Sequence, residues 1–163
     1  MPIRPVAELV ERRRDEGQLA GPPLAVVSRS IDVDLASTAF TEVVERPIVV
    51  TTELADAERV TQARQVADVL VADERTVDMG LASDLLLKQG LPRMLSEGGP
   101  HLLAELYAAD LVDELCVAVS PLVACGEGSR LTAGAALPEP HRVHLASVLE
   151  GEEFLFLRYT SAR

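Results

Sequence analysis

Glu97-Gly98-Gly99-Pro100 lies between two apolar stretches, in MLSEGGPHLLAEL. A glycine pair lets the backbone come close to another group. The free amides of a first helical turn point the same way, with the helix dipole behind them. Proline at a helix start sits where a missing N–H costs least. Such a turn can hold a phosphate, and the same residues also make a plain strand-to-helix turn. Glu97 bears on the choice: a carboxylate repels phosphate, so beside an anion site it would face a neutral, donor-rich part of a ligand. The second candidate is Ser28-Arg29-Ser30, directly after LAVV. A guanidinium gives a planar pair of donors and each hydroxyl one more, a set suited to a phosphate monoester. Taken alone, the tripeptide also reads as a strand end with a solvated arginine.

The elements that would position these residues follow from short apolar runs and helical stripes. Residues 24–27 are too short for a helix and are bounded by Pro and Ser, so they predict a buried strand. Residues 47–51, 67–71 and 92–96 read as three more strands. Helices are expected over 5–14, 56–65, 78–89 and 100–109. In the third, Leu81, Leu85 and Leu86 share a face, and Gly90 closes it as a C-cap residue would. This alternation predicts an α/β fold with a mainly parallel sheet covered on both faces. Ligands of such sheets bind past the carboxyl ends of the strands, where both candidate segments fall. The last strands, 114–119, 143–148 and 154–160, have no helix between the final two and predict an antiparallel ending with a hairpin across LEGEE. Phe154, Phe156 and Arg158 would face one way, and Leu155, Leu157 and Tyr159 the other.

The 163 residues suit one domain. Aromatic content is only 3%, with no Trp, so the core must be built from Val, Leu, Ala and Ile. The net charge of −11 argues against nucleic acid or an anionic membrane as a partner. It leaves room for a small anionic ligand held by a local arginine and helix-end amides. Cys116 and Cys125 suggest no disulfide framework and fit a cytoplasmic chain with reduced thiols. Together with three scattered histidines they show no zinc spacing, so no metal is expected. The amphipathic, charged start is not a signal peptide, and no apolar run reaches membrane length.

The stretch MLSEGGPHLLAELYAADLVDELCVAVSPLVACGEGSRL resembles the reductase domain of bacterial riboflavin biosynthesis, the C-terminal domain of the bifunctional deaminase-reductase. It is similar in particular to stand-alone pyrimidine reductases of actinobacterial type. An acid, two glycines and a proline precede an apolar helix. LVDEL, an apolar strand ending in Ser-Pro and a Gly-containing loop follow in order. AVVSRS and the closing FLFLRYT fit as well, so the resemblance covers essentially the whole chain. It implies a dihydrofolate-reductase-like three-layer sandwich and NADPH as hydride donor. The implied substrate is a phosphoribosylamino-pyrimidine, 5-amino-6-(5-phosphoribosylamino)uracil, whose ribosyl ring opens to a ribityl chain on reduction. Carried over by motif, Ser28, Arg29 and Ser30 would contact the 2′-phosphate end of NADPH. Gly98, Gly99 and the helix start at Pro100, His101 and Leu102 would hold the pyrophosphate, and Glu97 would face the substrate. His101 replaces a small polar residue of the family pattern and is read as a tolerated variation. Asp113 and Glu114 are read as structural or dimer-forming. A homodimer through the last strands is implied too.

The family pattern also includes an N-terminal strand with Ser-x-Asp-Gly and a Gly-x-Gly/Ala-Thr loop, and neither motif occurs here. The expectation is therefore a single, partial reductase domain over residues 1–163, truncated at its N-terminus. No side chain stands out as a proton donor, and the catalytic position stays unassigned. Two other readings remain at this point: a nucleotide-binding or assembly module without turnover, and a dihydrofolate or pterin reductase of the same fold. A methyltransferase is a weaker reading, because SRSIDVD offers no Gly-x-Gly loop after the first strand.

Overall fold

The computed structural model describes residues 6–128 and 130–162, in two compact units divided between Pro92 and Arg93. In the first, β2 (Ile48–Thr51) is the central strand and every residue of it is buried. It pairs in parallel with β1 (Ala25–Val27) on one side and β3 (Asp68–Val71) on the other. A continuous apolar run is what a strand covered on both faces needs. Its side chains alternate between two cores. Val49 joins Ile31, Phe40, Ala63 and Ala67, whereas Ile48 and Val50 join Ala72, Ala82 and Leu86. Ala63 comes from α3 (Ala57–Val66), and Ala82 and Leu86 from α4 (Met79–Lys88), so helices cover both faces as the alternation predicts.

Both helices start on an aspartate. Asp56 accepts from the Arg59 N–H at 2.9 Å and Asp78 from the Leu81 N–H at 2.7 Å. Gly90, at φ 80°, ends α4 in the left-handed region, and the Leu91 N–H folds back onto the Leu86 carbonyl at 3.2 Å. The helix expected over 5–14 is α1 (Ala7–Asp15), which buries no residue; residue 5 lies outside the described residues. The single turn α2 (Thr38–Thr41), absent from the sequence expectations, sets Phe40 into the core.

The second unit holds α5 (Pro100–Ala108) and an antiparallel sheet of β4 (Glu114–Val119), β5 (Val143–Gly151) and β6 (Phe154–Ser161), in the order β4-β6-β5. Phe156 lies between Ala118 and Leu149, and Leu157 between Val117 and Val148, which places the two alternating sets on opposite faces as expected. β5 runs on past the expected end at 148, because the turn is only Glu152-Glu153. Both take positive φ, 52° and 68°, the two-residue hairpin geometry that Asn-Gly usually fills. Glu114, read as structural or dimer-forming, pairs with Arg158 across β4 and β6 at 3.4 Å.

The strand expected over 92–96 is not formed. Residues 92–99 are all exposed, with Leu95 85% accessible, and no ladder includes them. Among the described residues the parallel sheet therefore has three strands, not four. A strand is completed by the edge it pairs with, and an apolar pair such as Met94-Leu95 does not supply that edge. Among the described residues no helix is long and apolar enough to cross a membrane, and both cysteines are free.

Candidate functional site

The first group of candidate residues lies at the carboxyl end of the parallel sheet. Ser28 still belongs to the ladder, donating its N–H to the Val50 carbonyl at 2.9 Å. The buried Thr51 hydroxyl donates to the Arg29 carbonyl at 3.2 Å, so the end of β2 clamps the segment. The Arg29 and Ser30 side chains are then free to face outward, and both residues are exposed.

Ile31 shapes the turn that follows. Its φ of 53° is left-handed, an unusual conformation for a β-branched residue. Such strain costs about 1–3 kcal/mol. Its side chain is fully buried against Phe40, Val49 and Ala63, and burying an isoleucine returns about 1.5–3 kcal/mol. The two roughly cancel, so the turn persists and sets Ser30 and Asp32 on either side of an anchored residue. Ser30 and Asp32 line an open depression of about 620 Å³ together with Asp56, Glu58, Arg59 and Gln62 from the start of α3. Arg59 reaches Asp32 at 3.2 Å, and Gln62 donates to Glu58 at 3.2 Å. Nearby, Thr52 is buried and its hydroxyl has no partner among the described residues.

The second group lies in the other unit, at the mouth of α5. Gly99 is the N-cap, with no side-chain cap bond, and Pro100 opens the helix. The first bond into the helix is Leu103 N–H to the Gly99 carbonyl at 3.1 Å, which leaves the His101 and Leu102 amides as the free donors of the first turn. The two glycines differ. A Cβ on Gly98 would lie 2.4 Å from Leu102 Cδ2, whereas one on Gly99 would meet nothing within 4 Å. Gly98 thus lies close against the half-buried Leu102 side chain, which a methyl there would push aside. Gly99, at an ordinary φ of −69°, keeps an open approach to the amides. The Ala133 N–H donates to the Pro100 carbonyl at 3.0 Å and Gly134 comes near His101, so a loop flanks the helix start. Glu97 is exposed just ahead of it.

Each group can hold an anion: one with a guanidinium and hydroxyls, the other with amides at a helix end. Tyr107, buried lower on α5 and 5.5 Å from the His141 ring, has its phenol pushed up by desolvation. Ile31, Asp32, Thr51 and Arg59 were not anticipated. Only the strand-end position of Thr51 in PIVVT could have signalled any of them.

The RibD C-terminal domain model matches residues 4–155. A relative from Archaeoglobus fulgidus, named as 2,5-diamino-6-ribosylamino-4(3H)-pyrimidinone 5′-phosphate reductase, is 30% identical over 123 residues, 76% of this chain and 56% of the relative. A protein of the same name from Methanothermobacter thermautotrophicus is 37% identical over 87 residues, 53% of this chain and 40% of its own length. The chain thus spans about half the length of the curated relatives it matches. Among solved structures, a pyrimidine reductase-like protein from Corynebacterium diphtheriae superposes with a TM-score of 0.85 at 24% identity, covering 99% of this chain and 70% of that one. The riboflavin biosynthesis reductase Rib7 of Saccharomyces cerevisiae gives 0.64 at 17% identity, covering 87% and 70%. These likenesses show the shared dihydrofolate-reductase-like fold, and the family match over nearly the whole sequence shows that the chain belongs to the RibD C-terminal domain family.

Proposed function

We propose that this chain is a reductase of riboflavin biosynthesis acting on a ribosylamino-pyrimidine 5′-phosphate, with a reduced nicotinamide dinucleotide as hydride donor. The observation that carries the reading is the family match over residues 4–155, joined by a 30% identical relative that bears this reductase name. The dinucleotide supplies the hydride that turns the ribosyl ring into a ribityl chain, and the protein supplies binding and orientation. NADPH is the form the resemblance implies.

The residues present fit such a ligand. The open approach over Gly99 and the free amides of His101 and Leu102 suit a pyrophosphate. Pro100 gives up only an N–H that would have no intrahelical partner. Ser28, Arg29 and Ser30 suit the 2′-phosphate, since the Arg29 guanidinium is exposed and makes no hydrogen bond or ion pair among the described residues. Glu97, acidic and exposed, is assigned to the donor-rich pyrimidine and not to a phosphate. The free thiols agree with a reducing cytoplasm, and a homodimer through the last strands belongs to the same reading.

The test is a fluorescence titration of NADPH into the 163-residue chain and its Arg29→Ala variant. Micromolar binding, weakened about tenfold by the substitution, is expected for the loss of one charged hydrogen bond. A folded chain that binds no dinucleotide would remove the reductase reading.

A further inference from the structure

We draw no further inference here: the strongest candidate, the apolar depression beside Phe154 and Phe156 on the antiparallel sheet, belongs to the homodimer reading already given, and nothing in the structure shows what else would cover it.

Discussion

Gly98 and Gly99 are adjacent but serve different ends, and single substitutions separate them. Gly98→Ala brings a methyl to 2.4 Å from Leu102 Cδ2 and 3.1 Å from its Cβ, so the half-buried Leu102 side chain must turn aside. Driving it off its preferred rotamer costs about 0.5–1.5 kcal/mol, and thermal denaturation should show it as a lowered Tm. Gly99→Ala meets open space at a φ that alanine adopts readily, so its Tm should stay within about 1–2 °C of the parent. If the α5 amides hold a pyrophosphate, the same methyl should weaken dinucleotide binding about tenfold, because it stands in the approach to them. A Gly99→Ala variant with unaltered binding would remove the pyrophosphate from the mouth of α5. The glycine pair and Ser28-Arg29-Ser30 are legible in the sequence because each is a local pattern with a local chemistry. Asp32 and Arg59 are 27 residues apart and meet only because the turn at Ile31 and the start of α3 converge at one end of the sheet. No spacing rule reads that.

At the scale of elements, the legible parts are those whose signal is complete in a short window. Asp78 before an apolar stripe, with Gly90 after it, marks both ends of α4, and the structure places the helix within a residue of that reading. The strands of the parallel sheet are legible for the same reason, as short apolar runs bounded by turn residues. Residues 92–96 look alike in sequence but pair with nothing, and α2 is too short to show any period. The cap at Asp78 gives a direct check. Asp78→Ala removes the acceptor of the 2.7 Å bond from the Leu81 N–H and should lower unfolding stability by about 1 kcal/mol in denaturant titration. Because Ala82 and Leu86 of α4 pack on Val50, the loss should appear in the cooperative unfolding of the first unit and not as local fraying. An unchanged midpoint would mean that packing alone defines the start of α4.

The burial of the molecule is uneven. Among the described residues, all the buried apolar ones but Tyr107 lie before Pro92, while the antiparallel sheet leaves Leu145, Val148, Leu149, Leu155 and Phe156 between 41% and 65% accessible. On one face Phe156 lies between Ala118 and Leu149, stacks on Phe154 at 6.2 Å and borders an apolar depression of about 410 Å³. Isolated exposed apolar residues are ordinary, but a contiguous sheet face of them marks an association surface. The net charge of −11 opposes association at long range, so burial of this face must outweigh that repulsion, and added salt should help it. Sedimentation equilibrium should therefore find a homodimer, at about twice 17.5 kDa. A Leu149→Asp, Phe156→Asp pair places two carboxylates side by side at the centre of that face and should return a monomer. The parallel sheet lies in the other unit, so the variant should keep its helical circular dichroism. A parent chain that is monomeric across micromolar concentrations, or a double variant that stays dimeric, would remove this face as the dimer interface. In the second case the opposite face of the sheet, with Leu145, Val148 and Leu155, becomes the surface to test.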